Sequence, residues 1–315
     1  MGRYLVNRTI QAVFVLLFSS VIVFSLILLI PGDPVTAMLG PGSSFDPAAI
    51  AAVRARLRLD EPLWVQYASW LMHALRGDLG ASVSTGQPVA EALLQRLPVT
   101  LEISFVATVV ALLVSIPLGV LAAVYRNSII DFFGSLVSVG GLAMPNFWIA
   151  ILLIMGLSVQ LRWLPASGFP PFGDDPVRHM LHLIMPCTVL ALPMIGILTR
   201  QIRSSMLETL GQDFIRTARA KGLRPLRVIV RHGLRNALFA PLTVLGVYVT
   251  TLVGGSLIVE SLFRIPGVGK LMVDAVFARD FQIVQGGALM VAVVAVTINL
   301  AVDLLYGFLD PRVSR

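Results

Sequence analysis

Six apolar stretches dominate the chain, and each is long enough to cross a membrane as a helix. A helix rises about 1.5 Å per residue and the hydrocarbon core of a bilayer is about 30 Å thick, so a span needs roughly 20 apolar residues. The pattern therefore predicts six transmembrane helices. The stretches that reach this length without Asp, Glu, Lys or Arg are residues 9–30, 103–124, 132–161, 180–199, 236–259 and 281–302.

The composition indicates an integral membrane protein. Hydrophobic residues make up 57% of the sequence and charged residues 13%, whereas an ordinary soluble domain is about 25% charged. The first stretch is too long for the apolar part of a secretory signal, and no convincing cleavage site follows it before Pro31. We predict an uncleaved first span and an all-α integral membrane protein whose residues 1–315 form a single transmembrane domain.

The distribution of charge predicts the orientation of the chain. Fourteen of the 24 Lys and Arg residues, but five of the 17 Asp and Glu residues, fall on the side that holds both ends of the chain and the loops 125–131 and 200–235. Because basic loops remain in the cytoplasm, we expect both termini there and the segment 31–96 outside. This asymmetry explains the net charge of +7 without a nucleic-acid partner.

The external segment carries two patterns typical of a membrane surface. Asp46 precedes apolar residues at helical spacing through Leu57, which predicts an N-cap and a short amphipathic helix. Trp64, Tyr67 and Trp70 follow at a spacing of three, which places their rings on one helical face. We interpret these rings as anchors at the depth of the lipid headgroups.

The third and fourth spans contain residues that bend helices and free backbone carbonyl groups. Met144, Pro145 and Asn146 interrupt the third span, and the fourth contains Pro186 and Pro193. Freed carbonyl groups need protein or water beside them, so the kinks favour spans packed around a wettable interior. Ordinary kinks in a static bundle explain the same pattern equally well.

Two acidic residues flank uncharged spans and are candidates for a solute pathway. Glu102 follows Pro98 by four residues, a spacing that favours a place in the first turn of its helix, where the helix dipole stabilises a negative charge. Asp303 lies near the inner end of the last span, where an arginine of the loop 200–235 or of a partner chain would be a suitable partner, but the sequence does not identify its partner.

The loop 200–235 contains a short helix with clear ends. Asp213 is a suitable N-cap and Gly222 suits the left-handed residue that ends a helix. A helix of about two turns is unstable alone, so something must pack against it. Ala218 and Ala220 would let a partner approach closely. The loop's basic residues offer an alternative, because they would also bind anionic lipid headgroups.

The same loop carries a family resemblance. Residues 213–245 resemble the cytoplasmic loop of permeases of ATP-binding-cassette (ABC) importers, which is centred on Glu-Ala-Ala, three residues and Gly, with Gly222 at the glycine. Arg216-Thr217-Ala218 stand in place of Glu-Ala-Ala, and Arg235 stands where proline is common. These departures resemble the dipeptide, oligopeptide and nickel branch. The resemblance extends nearly end to end, through Pro31–Val35, Gly77–Gly80, Met144–Trp148, Ile265–Gly269, and Asn299 to Arg312.

The resemblance implies a type I ABC importer permease fold with a cytoplasmic coupling helix, in a bacterial inner membrane. It also implies a homologous second permease, two ATPase subunits that bind ATP and Mg²⁺, and an external solute-binding protein, with no cofactor in this chain. The residues it assigns to ATPase coupling are Asp213, Arg216, Thr217, Ala218, Ala220, Lys221 and Gly222. Candidate pathway or gate residues are Met144, Pro145, Asn146, Glu102 and Asp303.

Other functions fit the sequence less well. Gly267-Val268-Gly269-Lys270 lacks the earlier glycine and the Ser or Thr of a phosphate-binding loop. The pair His179 and His182 lacks further metal ligands, and no nucleophile motif of a hydrolase occurs. We therefore expect no metal site and no enzyme activity. A secondary transporter driven by an ion gradient is the alternative of another class. On the resemblance alone, small peptides are the preferred solute, with nickel and glutathione as alternatives.

Overall fold

The computed structural model describes residues 2–26 and 60–309, which are helical apart from turns, loops and one isolated β-bridge. The predicted amphipathic helix at 46–57 lies outside the described residues, as do the motifs at 31–35 and 310–312. The helices are α1 (Gly2–Ser25), α2 (Leu63–Leu75), α3 (Val89–Val124), α4 (Ile129–Ala143), α5 (Asn146–Leu153, continued by π-helical Ile154–Gln160), α6 (Pro176–Leu210), α7 (Asp213–Ala220), α8 (Phe239–Leu262), α9 (Val268–Phe277) and α10 (Phe281–Leu309).

Within the described residues, five helices are long and apolar enough to cross a bilayer, and the bent pair α4 and α5 supplies a sixth candidate. The predicted span at 132–161 is divided between α4 and α5, because the chain turns by 106° between them at the predicted kink. Pro145 has no N–H to donate, and it holds Met144 before it in an extended conformation, with φ −95° and ψ 128°. Both effects end α4 at Ala143.

Two helices extend far beyond their predicted spans. Helix α3 has 36 residues and α6 has 35, so each is about 50 Å long. Because α3 begins at Val89, Glu102 lies in the middle of a continuous helix. The prediction that Glu102 stabilises a helix start is wrong, since Pro98 stands inside the helix rather than at its first position.

The described residues form two compact units, one of residues 2–26, 60–100 and 266–309 and the other of residues 101–265, and the predicted single domain stays a prediction. In the first unit, Val89 and Leu93 of α3 pack against Val268 of α9 and Ile283 of α10. The contact is close, because a Cβ added to Gly286 would lie 2.6 Å from the Val89 side chain.

The aromatic residues of α2 face α1 in this unit. The Tyr67 ring lies 5.5 Å from the Phe24 ring, and its hydroxyl is hydrogen-bonded to that of Ser20 at 2.8 Å. Trp70 also contacts Phe24, whereas Trp64 is 74% exposed. The interpretation of all three rings as headgroup anchors therefore fails for Tyr67 and Trp70, which hold α2 on α1.

Asp303 is paired inside its own chain. Its Oδ2 lies 3.2 Å from Nη1 of Arg8, so the arginine that it contacts in this chain lies on α1 and not in the loop 200–235. The sequence could not identify this partner because the two residues lie at opposite ends of the chain and meet only when α1 packs against α10.

A buried carboxylate secures the loop that precedes α3. Asp280 is 1% exposed and accepts hydrogen bonds from the hydroxyl groups of Ser82 at 2.5 Å and Ser84 at 2.8 Å, and from the N–H groups of Ser84 and Ile283. Burial alone would raise the pKa of Asp280, but these four donors outweigh it and hold the pKa below its ordinary value.

This carboxylate predicts a loss of stability in acid. A group whose pKa is lower in the folded state stabilises the fold above its unfolded pKa, about 3.9, and loses that contribution as the pH falls through the folded pKa. Asp280→Asn should cost about 1–3 kcal/mol at neutral pH and weaken the acid dependence of unfolding. Thermal unfolding in detergent from pH 7 to pH 3 measures both effects. Asp274→Asn, at an exposed carboxylate on α9, should change neither.

The second unit is built on the crossing of α4 and α6. A Cβ added to Gly141 would lie 2.5 Å from the Leu192 carbonyl oxygen, and one added to Gly196 would lie 2.7 Å from that of Ser138. Only glycine permits backbones to approach so closely. Cys187, the single cysteine of the chain, is buried in α6 beside the Ile103 carbonyl group of α3.

Candidate functional site

Helix α7 occupies the position predicted for the coupling helix. It begins at Asp213, with Gln212 at the N-cap in an extended conformation and without a side-chain cap. The prediction that Asp213 is the N-cap is therefore wrong by one position. Its carboxylate instead lies in the first turn, where the positive end of the helix dipole stabilises its negative charge. It also accepts a hydrogen bond from Arg216 at 3.2 Å.

One face of α7 is packed against its own chain. Ile215 is 0% exposed and Ala218 is 5% exposed, and both contact Val228, with Leu210 and Leu223 around them. Ala218 therefore fills the chain's own core, and its predicted role of admitting a partner surface is wrong. This packing provides the support that a helix of two turns requires.

The opposite face of α7 is exposed and basic. The side chain of Arg216 is 76% exposed, and Arg219 and Lys221 are also exposed. Phe214 is partly exposed beside them, and Ala220 leaves the backbone open to close approach. The predicted coupling residues other than Ala218 are thus exposed on this helix and at its end. The hydroxyl of Thr217 donates to the Asp213 carbonyl group at 3.0 Å within the helix.

Gly222 ends the helix in the left-handed conformation, as predicted. Its φ is +74°, and its N–H donates to the Arg219 carbonyl oxygen at 2.9 Å. The N–H of Leu223 then reaches back to the Ala218 carbonyl oxygen at 3.4 Å, which satisfies the groups at the helix end. A side chain at Gly222 would meet no neighbour within 4 Å, so its backbone conformation is the constraint.

The chain after Gly222 forms a firm support rather than a loose loop. Residues Val228–Leu234 are π-helical, and Gly233 within them lies on α6, where an added Cβ would be 3.3 Å from the side chains of Met206 and Leu210. Sequence reasoning missed this π-helix because one extra residue per turn leaves no distinct hydrophobic period in seven residues. The support places α7 directly on the end of α6.

The predicted gate residues lie at the bend between α4 and α5. Met144 is the last residue before the bend, Pro145 is the N-cap of α5, and Asn146 is its first residue. Met144 and Trp148 line an apolar cleft of about 320 Å³, while Pro145 and Asn146 do not. The other residues that line it are Val137, Gly140, Gly141, Ile149, Leu152, Leu153 and Leu192.

Glu102, which is partly exposed, contacts the buried ring of His179 at the start of α6. Its Oε1 lies 2.7 Å from Nε2 of His179, and Nδ1 of the same ring lies 2.7 Å from the Pro170 carbonyl oxygen. His179 is fully buried, with the edges of Phe169 and Phe172 against it. Glu102 therefore connects α3, α6 and the segment between α5 and α6, a role that its sequence position did not indicate.

Removing the Glu102 carboxylate should destabilise this end of the second unit. Glu102→Leu leaves a buried ring nitrogen without its partner, which costs about 1–3 kcal/mol, whereas Glu102→Gln keeps a hydrogen-bonding group and should cost less. Thermal unfolding in detergent measures the difference. Glu91→Leu, at an exposed position of the same helix, is the matched control, and an equal loss in both leucine variants would contradict the importance of the His179 contact.

A second ion pair was missed in the sequence. Both carboxylate oxygens of Asp131, near the start of α4, accept hydrogen bonds from Arg203 of α6, at 2.5 and 2.8 Å. The available signal was that Asp131 and Arg203 have opposite charges and lie at the ends of two spans that are predicted to meet the same side of the membrane. The spacing of 72 residues gave no local pattern from which to select this pair.

The fold and these sites define a class, the polytopic helical permeases. The chain matches the family described as "Binding-protein-dependent transport system inner membrane component" over residues 115–315, and the corresponding N-terminal family over residues 1–104. The chain belongs to this family and is a permease component of an ABC importer.

Relatives match along their full length. The chain is 42% identical over 313 residues to a putative peptide transport system permease protein of Brucella suis, which covers 99% of each chain. It is 42% identical over 317 residues to the oligopeptide transport system permease protein AppB of Bacillus subtilis, which covers 100% of each. It is 40% identical over 319 residues to the dipeptide transport system permease protein DppB of Escherichia coli K12, which covers 94% of each.

Solved structures support the predicted type I fold. An inward-facing structure of the MetNI methionine ABC transporter is similar with a TM-score of 0.53 and 18% identity, over 69% of this chain and 96% of that one. An amino acid ABC transporter with histidines is similar with a TM-score of 0.51 and 16% identity, over 70% and 94%. The predicted all-α permease fold is confirmed.

Proposed function

We propose that this chain is one of two permease subunits that together form the pathway of a small-peptide importer. Identity of 40–42% along the full length of permeases named for peptide, oligopeptide and dipeptide transport supports peptides over nickel or glutathione. The partners are a homologous permease, two cytoplasmic ATPase subunits that bind ATP and Mg²⁺, and an external solute-binding protein. This chain moves solute and performs no bond chemistry.

Four polar contacts support an orientation with both termini in the cytoplasm. Each joins two segments that the charge pattern predicts on one side of the membrane, so the predicted sides are mutually consistent. The basic side is then cytoplasmic and the loop before α3 is external. These contacts are Arg8 with Asp303, Asp131 with Arg203, Glu102 with His179, and Ser82 with Asp280.

The proposal that α7 couples this chain to an ATPase subunit rests on the difference between its two faces. Ile215 anchors the helix to the end of α6 through Leu210, and the opposite face presents Phe214, Arg216 and Lys221 to the cytoplasm. Because one face of α7 packs against the end of α6 and the other is exposed, a displacement of α7 by an ATPase subunit would be transmitted directly to α6. Asp213 and Thr217 stabilise the first turn, and Gly222 positions the chain that supports it.

The proposed pathway uses the bend after α4. Met144, Pro145 and Asn146 form a hinge with an apolar cleft beside it, which permits α4 and α5 to change their angle during transport. Glu102 is assigned to the external end of this pathway, with His179 holding it in place. Asp303 is assigned to holding α1 on α10 and not to the pathway, because Arg8 neutralises it.

Transport in proteoliposomes tests the function directly. Vesicles that contain this chain, the second permease and both ATPases should accumulate a labelled dipeptide only with ATP and the binding protein. Matched vesicles receive Ni²⁺ or glutathione in place of the peptide. Uptake driven by an ion gradient without the ATPases would contradict the importer, and preferential uptake of Ni²⁺ or glutathione would contradict the peptide assignment alone.

Crosslinking tests the coupling face. A cysteine at Arg216 or Arg219, on the exposed face of α7, should crosslink to an ATPase subunit, and the yield should change when ATP is bound. A cysteine at Trp64, equally exposed but on the predicted external side, should give no such product. Crosslinks from α7 to lipid alone would overturn the coupling role.

A further inference from the structure

The ion pair between Asp131 and Arg203 joins two helices with defined geometry. Nε of Arg203 donates to one carboxylate oxygen and Nη2 donates to the other, so the two planar groups meet along a shared edge. A bidentate pair fixes the angle between its partners as well as their distance, which a lysine would not do. The carboxylate also accepts the N–H of Asn127, which itself has a left-handed φ of +63°.

The position of the pair is as informative as its geometry. Arg203 lies about two turns before the end of α6, where α7 is seated. Asp131 lies in the first turn of α4 and is buried, so the pair ties the start of α4 to the part of α6 nearest the coupling helix.

The same two helices are interlocked farther along their length. The close approaches at Gly141 and Gly196 leave no room for α4 to slide past α6. With the ion pair at one end and this crossing near the other, α4 and α6 behave as one rigid body. That body ends at Met144 and Pro145, where the chain turns by 106° into α5.

We propose that Asp131 and Arg203 are coupling residues that transmit the movement of α7 through α4 to the bend at Pro145. Without the pair, a push on α7 moves α6 and leaves the start of α4 behind. The energy of ATP hydrolysis then reaches the hinge incompletely. This inference rests on the proposed function, because it requires α7 to be driven by an ATPase.

Variants of the pair should uncouple hydrolysis from transport. In the complete proteoliposome system, Asp131→Asn and Arg203→Lys should each keep ATP hydrolysis stimulated by the binding protein, while the peptide imported per ATP falls about fivefold or more. Arg203→Lys keeps the charge and loses only the bidentate geometry. If Asp131→Asn folds poorly, Arg203→Lys alone still tests whether the ion pair is needed for coupling. The exchange Asp131→Arg with Arg203→Asp should recover part of the loss.

The control is the ion pair between Arg8 and Asp303. Asp303→Asn breaks the contact with Arg8, which involves neither α4 nor α6, and should leave the peptide imported per ATP unchanged. An unchanged ratio in Arg203→Lys, or an equal fall in Asp303→Asn, would overturn the proposal.

A second measurement does not depend on the solute. Spin labels at Phe133 on α4 of this chain and at a fixed position on an ATPase subunit should report a change of distance on ATP binding. That change should be lost in Arg203→Lys. If the distance changes equally in the unmodified chain and in Arg203→Lys, the proposed role of the ion pair in transmitting the movement is wrong. If the unmodified system does not import peptide, the proposed function is wrong instead.

Discussion

Replacing Gly222 by valine should abolish peptide uptake while the chain still inserts into the membrane. The left-handed φ of +74° is costly for a β-branched residue, by about 1–2 kcal/mol, and the turn at this point supports α7. The added side chain meets no neighbour, so the loss would come from a displaced backbone. Uptake and ATPase recruitment in proteoliposomes measure the effect, beside the amount of chain in the membrane.

Two controls separate backbone strain from bulk. Gly222→Asn should retain most uptake, because asparagine tolerates the left-handed conformation better than other residues. Gly173→Val adds the same bulk at a glycine with open space around it and an ordinary φ, and should have little effect. Normal ATPase recruitment by Gly222→Val would show that the turn after α7 does not determine how the helix is presented.

Replacing Gly141 by alanine should strongly destabilise the second unit. The new methyl group would stand 2.5 Å from the Leu192 carbonyl oxygen, a backbone atom that cannot rotate away, so α4 and α6 must separate. We expect a loss of about 1–3 kcal/mol and a lower yield of folded protein. Thermal unfolding of the purified chain in detergent measures it.

The adjacent glycine supplies the matched control. A Cβ at Gly140 would meet nothing within 4 Å, so Gly140→Ala, in the same helix and one residue away, should be close to neutral. Equal losses from the two substitutions would indicate that helix flexibility, and not the crossing with α6, sets the stability of this region. Gly196→Ala should resemble Gly141→Ala, since it meets the Ser138 carbonyl oxygen at 2.7 Å.

Hydropathy and local motifs predicted much of the fold. The apolar stretches identified the long helices, because burial in lipid requires an uncharged run whatever the packing. The segment from Asp213 to Gly222 was located because caps and left-handed glycines are local signals. The break at Pro145 was only partly predicted, since an apolar stretch reports composition and a proline indicates a kink without its angle.

Features that depend on distant partners were not predicted. The buried direction of Ala218 is set by Val228, ten residues later, which returns to α7 after the turn at Gly222. Glu102 was assigned to a helix start from the nearby Pro98, whereas its partner His179 is 77 positions away. Pairings across a bundle depend on how helices pack, and a single sequence carries no record of that packing.

Both ring nitrogens of His179 are engaged, Nδ1 with the Pro170 carbonyl oxygen and Nε2 with Glu102, each at 2.7 Å. A rotation of the ring would break both contacts at once, so the imidazole holds one orientation. The ring therefore serves as a fixed spacer between α3 and the segment before α6, and a movement of either one that does not carry the other must break a hydrogen bond.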